Sequence, residues 1–340
     1  MLVTAEQYGA MLDGAAAGGY AFAAINVTSS QTLNAALRGF AEAGSDGIVQ
    51  ITVGGARYLS GAARDAAAGA RALAALGREL AHGLPVAVAL HTDHCAPEHV
   101  EDFLRPLLAT SGDRVARGQQ PLFQSHMFDG STLPLDDNLR LSAELLAQCR
   151  ELDVVLEIEC GVVGGEEDGI GGEDPDGDRL YTTPEDLLRV AEELGTGERG
   201  RYLLAATFGN VHGLYAPGRV RLRPEILEAG QVALAHAHPG ARFQYVFHGS
   251  SGSSANDVRA AVSHGVVKVN LDSEAQYAFT RAAAGHMFSH YDGVLAIDGG
   301  LGDKRAYDPR AWGAEAEAGM AVRVAQACEL LGSAGRSIVA

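Results

Sequence analysis

Three histidines stand just past short apolar runs: His94 after residues 86–90, His212 after residues 202–208 and His248 after residues 243–247. Imidazoles at the ends of three buried strands need something to converge on, and a divalent metal is the partner that neutral imidazoles serve best. Three of them leave one tetrahedral position open, the arrangement of catalytic rather than structural zinc. The segment His91, Thr92, Asp93, His94 places a carboxylate beside one of the three. Neighbouring residues on a strand tip point in different directions, so Asp93 reads as an acid/base group and not as a ligand. A metal in such a place can act as a Lewis acid on an oxygen of the substrate.

The elements that must position these groups recur along the chain. Strand-like runs are expected over residues 21–27, 47–53, 85–91, 122–125, 153–159, 202–208, 243–248 and 266–271. Alanine- and leucine-rich stretches at 32–43, 61–82, 139–152, 184–194, 224–237 and 254–264 suit crossover helices. About eight such repeats imply a closed (β/α)₈ barrel, an α/β TIM barrel, formed as a single domain over residues 1–340 with a C-terminal helical segment at about 308–335. A doubly wound open sheet is the structural runner-up. Nearly every run ends in a polar group: Asn26, Thr52, Asp93 with His94, Asp129, Glu159, His212, His248, and Asn270 with Asp272. Catalytic groups of such barrels sit at the carboxyl ends of the strands, although Asn26 or Thr52 taken alone reads as a satisfied strand end or a helix cap.

Two loops stand out. Residues 161–181 are rich in glycine and acid, longer and more polar than an ordinary connection, and read as a lid or a disordered segment; as a lid, their carboxylates could close over substrate as a base. Residues 248–254, His-Gly-Ser-Ser-Gly-Ser-Ser, precede a helix, and their amides can cradle an anion where barrels often bind phosphate.

Composition limits the alternatives. A formal net charge of -17 argues against nucleic-acid binding. No apolar run approaches membrane length and no leader-like segment opens the chain, so a cytoplasmic protein is expected. Cys95, Cys149, Cys160 and Cys328 lack metal-site spacing and read as small buried thiols. Lysine occurs only at positions 268 and 304. Alternation puts Val155, Glu157 and Glu159 on one strand face, directed inward, and Lys268 with Asn270 and Asp272 on one face of the last strand. A buried Glu157–Lys268 pair and a catalytic role for both are open readings. The remaining histidines, His91 among them, read mostly as surface or helix-packing residues, with His126 in a packing role.

Segments 91–95, 123–129, 157–169, 205–215, 247–253, 265–272 and 307–310 together resemble the motifs of class II, metal-dependent fructose-1,6-bisphosphate aldolases, over a span from about Gly19 to the C-terminus. The resemblance implies a barrel, a homodimer or homotetramer, and reversible cleavage of fructose 1,6-bisphosphate to dihydroxyacetone phosphate and glyceraldehyde 3-phosphate in glycolysis and gluconeogenesis. By position, His94, His212 and His248 resemble the catalytic zinc ligands, and Asp129 with Glu159 a second divalent metal position. Asp93 matches the residue that handles the aldehyde or hydroxyl proton, and Glu167 the base that removes the carbon-bound proton. Gly213, Gly249, Ser251, Asn270, Leu271, Asp272 and Ser273 resemble contacts to the ketose phosphate, with a monovalent cation, Na⁺ or K⁺, nearby. Asn26 and Thr52 match the aldehyde half, and Arg310 the arginine reaching the distal phosphate from its own or a neighbouring subunit. Two positions depart from the pattern. Ser250, within the phosphate loop, replaces a glycine, and Ala216 replaces a lysine whose charge Arg219 could supply.

Other functions fit less of the sequence. A Schiff-base aldolase would have to use Lys268 and leaves three histidines idle. A zinc hydrolase has no need of the phosphate loop, and a non-catalytic sugar-phosphate sensor has no need of Asp93 and Glu167. Tagatose 1,6-bisphosphate, or another ketose bisphosphate, is the alternative substrate.

Overall fold

The computed structural model describes residues 1–161, 181–211, 222–296 and 300–339 in full, and residues 164–167, 170, 171 and 212 by their backbone alone. Its frame is a closed barrel of parallel strands. The chain opens with α1 (Ala5–Gly18), whose Thr4 and Gln7 form a reciprocal cap. Strand β1 (Phe22–Asn26), α2 (Ser30–Ala43), β2 (Gly47–Ile51), α3 (Val53–Leu59), α4 (Ala66–Leu80) and β3 (Val88–Thr92) follow. Then come α5 (Arg105–Val115), β4 (Ser125–Phe128), α6 (Leu135–Glu151), β5 (Val155–Cys160) and two short strands outside the barrel, β6 (Gly164–Glu167) and β7 (Ile170–Gly171). The trace continues through α7 (Pro184–Leu194), β8 (Tyr202–Ala206), β9 (Val211–His212), α8 (Glu225–Ala237), β10 (Tyr245–Phe247), α9 (Ala255–Ser263) and β11 (Val266–Leu271). It ends with α10 (Ser273–Ser289), α11 (Tyr291–Leu295), α12 (Lys304–Tyr307) and α13 (Pro309–Leu331). Around the barrel the order is β1, β11, β10, β8, β5, β4, β3, β2, with β2 closing back onto β1. The closed barrel, not the open sheet, is therefore the fold.

Strand alternation sorts the residues into two cores. Ala23, Ile25, Val49, Leu90, Leu156, Ile158, Leu204 and Phe247 face outward and pack with the helices. Phe22, Ala24, Ile48, Ala87, Ala89, Val155, Leu203, Ala205 and Val246 face inward at the amino end of the barrel, where Tyr8, Met11, Leu12 and Ala15 of α1 close the floor. Helix α13 runs along α2 and α10, and its Leu331 carbonyl accepts a hydrogen bond from Ala21 N at the entry to β1.

Several elements differ from the sequence expectation. The fourth strand begins at Ser125, where earlier residues 122–125 were expected, because His91 pairs with Ser125 and the ladder runs on to Phe128. The second strand stops short of Val53 because Thr52 caps α3, its hydroxyl accepting from Gly55 N at 3.0 Å. Helices α1, α3, α5, α10, α11 and α12 were not anticipated; α1 serves as the floor of the barrel.

Leu12 is fully buried in that floor. Leu12→Ala is expected to destabilise the fold by about 2–5 kcal/mol through the cavity it leaves, read as a lower midpoint in urea. A shift worth under about 1 kcal/mol would mean that the floor collapses onto the gap.

Candidate metal centre and active site

Above the apolar floor the same alternation turns polar. Asn26, Gln50, His91, Asp93, Ser125, Glu157, Glu159, His248, Lys268 and Asn270 are all buried at the carboxyl end of the barrel. On β5 the inward row runs Val155, Glu157, Glu159, as alternation requires. On β11 a register shift against β10 pairs Tyr245 with Val266 and Val246 with Lys268, and this bulge points Lys268 inward.

His248 is the centre of the polar layer. Its Nδ1 lies 3.0 Å from Glu159 Oε2 and its Nε2 lies 2.8 Å from Glu157 Oε1. Burial opposes a charge on the ring, but the hydrogen bonds it donates to Glu157 and Glu159 outweigh it and push its pKa up to about 9. Glu157 in turn sits 2.9 Å from Lys268 Nζ. Burial works against its charge, and Lys268 holds it well below the usual carboxylate range nonetheless.

Asp93 is held by three amides. Asn270 Nδ2 donates to Oδ1 at 3.0 Å, while Asn26 Nδ2 and Gln50 Nε2 each donate to Oδ2 at 2.9 Å. Against the penalty of burial, His94 and Lys268 keep its carboxyl below the usual range, so it is an anion ready to accept a proton. His91 is also part of this layer, which corrects its reading as a surface or packing residue. Its Nδ1 meets Ser125 Oγ at 2.8 Å and its Nε2 lies 3.5 Å from Glu157. Burial, then Lys268, pushes its pKa down to about 3, so the ring is neutral. Its shared parity with Asp93 on one strand is the signal that could have found it. Gln50 was missed as well; the signal was a lone amide within Gly-Ile-Val-Gln-Ile. His126 does pack, facing outward with its Nδ1 2.7 Å from Thr92 Oγ1.

His94 reaches the layer from just beyond β3, with a left-handed φ of 31° that a non-glycine residue adopts at some cost. Its Nδ1 is 3.0 Å from Asp129 Oδ2 and 3.9 Å from Glu159 Oε2, and its ring centroid is 4.7 Å from that of His248. Among the described residues, donor atoms of Asp93, His94 and His248 lie within 4.8 Å of one another, as do those of His94, Asp129 and Glu159 and those of His91, Asp93 and Glu157. Burial, then the charge of Asp129, raises the Glu159 carboxyl. Imidazoles facing acids that repel one another fit a bound divalent cation, and mixed nitrogen and oxygen donors of this kind suit a borderline metal.

The expected phosphate loop follows directly. Gly249 has a φ of 63°, and a Cβ there would sit 2.4 Å from Val211 O, so only glycine lets this loop lie against β9. The departing residue Ser250 donates its hydroxyl to Asn270 O at 2.9 Å, tying the loop to β11. Ser251 is nearly buried. Asp272 and Ser273 lead into α10, whereas Leu271 turns its side chain outward into the apolar layer. Arg310 stands apart: its guanidinium is 86% exposed and pairs with Asp308 at 2.7 Å. The side chains of His212 and Glu167, and all of Gly213, Ala216 and Arg219, lie outside the described residues.

A (β/α)₈ barrel with a cluster of His, Asp and Glu donors that could hold a metal ion at its carboxyl end has the architecture of a metal-dependent barrel enzyme. The family model for class II fructose-bisphosphate aldolase matches residues 6–336, and the chain belongs to that family. It is 56% identical to the fructose-bisphosphate aldolase of Streptomyces galbus over 339 residues, with 99% of each chain covered. The aldolase of Corynebacterium glutamicum is 53% identical over 341 residues, covering 99% of this chain and 98% of that one. Among solved structures, the fructose-bisphosphate aldolase of Campylobacter jejuni superposes with a TM-score of 0.86 at 32% identity, over 99% of this chain and 97% of that one. The family is metal-dependent, and the donor groups described above could hold the ion.

A metal entering at His248 must displace the proton held there below about pH 9. Metal affinity is therefore expected to rise about tenfold per pH unit between pH 7 and 8 beyond any change at the other ligands, with about one proton released per ion, measured by titration in buffers of different ionisation heat. Affinity that is flat over this range would contradict the protonated ring.

Proposed function

We propose that the chain is a zinc-dependent lyase that reversibly cleaves fructose 1,6-bisphosphate into dihydroxyacetone phosphate and glyceraldehyde 3-phosphate, serving glycolysis and gluconeogenesis in the cytoplasm. The observation that carries this reading is the meeting of two imidazoles, His94 and His248, with the amide-held Asp93 in one donor cluster, in a chain of the class II family. His94, His212 and His248 would hold the ion, which when bound supplies a Lewis acid for the ketose carbonyl. Asp129 and Glu159 would hold a second divalent ion.

The chain's own groups do the rest. Asp93, kept anionic and aimed by Asn26, Gln50 and Asn270, takes the hydroxyl proton as the carbon–carbon bond breaks and returns it in the condensation direction. Glu167 exchanges the carbon-bound proton of the three-carbon product. Gly213, Gly249, Ser250, Ser251 and residues Asn270, Leu271, Asp272 and Ser273 receive the ketose phosphate through backbone amides and hydroxyls, with a monovalent cation beside it. Asn26 and Thr52 border the aldehyde half. The exposure of Arg310 supports its reaching the distal phosphate of a neighbouring subunit in a homodimer or homotetramer. The names of the relatives favour fructose 1,6-bisphosphate over its tagatose epimer.

Chelation is expected to abolish cleavage in a coupled assay, zinc or cobalt to restore it, and borohydride with substrate to leave the chain unlabelled. Activity that survives thorough metal removal, or an adduct at Lys268, would overturn the mechanism. Glu167→Ala is expected to lower kcat about a hundredfold to ten-thousandfold with little change in KM, and to slow exchange of the dihydroxyacetone phosphate C3 proton with solvent. If that exchange keeps the parental rate while Glu166→Ala abolishes it, the two acids have reversed roles.

A further inference from the structure

Lys268 is fully buried, and the cleavage steps give it no part of its own. Its ammonium is already engaged: Nζ lies 2.9 Å from Glu157 Oε2, 3.2 Å from Glu157 Oε1 and 2.7 Å from Asn270 Oδ1. A lysine carries donors only, so each neighbour must turn an acceptor toward it, and each turn has a consequence further along. Asn270 gives its Oδ1 to the ammonium and is left with its NH₂ facing Asp93 Oδ1 at 3.0 Å. Without a cation below it, the same amide could flip and set its carbonyl oxygen against the carboxylate. Glu157, drawn to the ammonium, keeps Oε1 within 2.8 Å of His248 Nε2 and so holds one ring nitrogen, leaving the other as the one that would meet an ion. The β11 bulge turns Lys268 inward, where its ammonium is linked to Asp93 through Asn270 and to His248 through Glu157.

We propose that Lys268 is a positioning residue that couples the two halves of the site, aiming Asp93 through Asn270 and the His248 ring through Glu157. The proposal rests on the assignment of Asp93 and His248 given above. It accounts for a buried ammonium that touches neither Asp93 nor His248 and that is unsuited to Schiff-base chemistry while paired.

The test is Lys268→Met, compared with the parental protein at saturating zinc. The kcat for fructose 1,6-bisphosphate cleavage is expected to fall about ten- to a hundredfold, the loss of a charge-assisted hydrogen bond, with KM changing less than about threefold. Zinc affinity, measured by competition with a chromogenic chelator, is expected to fall about ten- to a hundredfold, as when the outer partner of a ligand is lost. Lys268→Met removes the ammonium that matches the buried Glu157 carboxylate, which endangers folding. The same measurements are therefore made on Glu157→Gln alone and on Glu157→Gln with Lys268→Met, a pair that strands no charge. Adding Lys268→Met to Glu157→Gln is expected to lower kcat about tenfold further, because the Asn270 amide is then free to turn. Equal kcat in those two proteins, or parental kcat or parental zinc affinity in folded Lys268→Met, overturns the coupling. A parental protein without zinc-dependent cleavage would instead overturn the functional reading, and the zinc-affinity comparison would still decide whether Lys268 orients His248.

Discussion

One imidazole shared by two carboxylates organises the upper half of this barrel. His248 is flanked by Glu159 on one nitrogen and Glu157 on the other, and neither acid could be buried there alone. Removing an ion from water costs several kcal/mol even after relaxation, so each charge in the layer must be matched by the next. Glu157 is matched by Lys268, Lys268 reaches Asn270, and Asn270 reaches Asp93. The ladder closes on Asn26 and Gln50, and a missing rung would leave a desolvated charge in the middle of the fold.

Such a layer needs a rigid apolar frame. The floor beneath it is built from small and medium side chains of the strands and sealed by α1, and the outer face of every barrel strand is packed by helices. Because the strand order is closed, each inward residue is fixed in height by the register of two neighbours. The polar groups therefore meet at hydrogen-bond distance without having to choose among rotamers in water. The strained backbone of His94 and the positive φ of Gly249 mark where the chain leaves that frame to form the mouth of the site.

Much of this was legible in the sequence, because strand alternation is a strict rule. It placed Glu157 and Glu159 inward and grouped Lys268 with Asn270. The same rule, carried back two residues from Asp93, would have placed His91 inside, and Gln50 was visible as an amide in an apolar strand. Other features were not legible. The β11 bulge depends on pairing with a strand some twenty residues away. The start of the fourth strand depends on where His91 meets Ser125, and the apolar Leu122 and Phe123 are buried just ahead of the ladder. The role of α1 depends on the floor it fills, which no local pattern states. The (β/α)₈ frame and the aldolase family were both readable from motifs in order along the chain, and the family match agrees with them.

In the proposed reading the donors divide by kind, with imidazoles on the metal and Glu157 and Lys268 outside it. X-ray absorption at the zinc edge of the loaded protein tests that division most directly. The expected spectrum shows roughly three nitrogen donors at about 2.0–2.1 Å with imidazole multiple scattering, and it loses about one of the three in His248→Ala. A shell of oxygen alone, or one that His248→Ala leaves unchanged, would contradict the account.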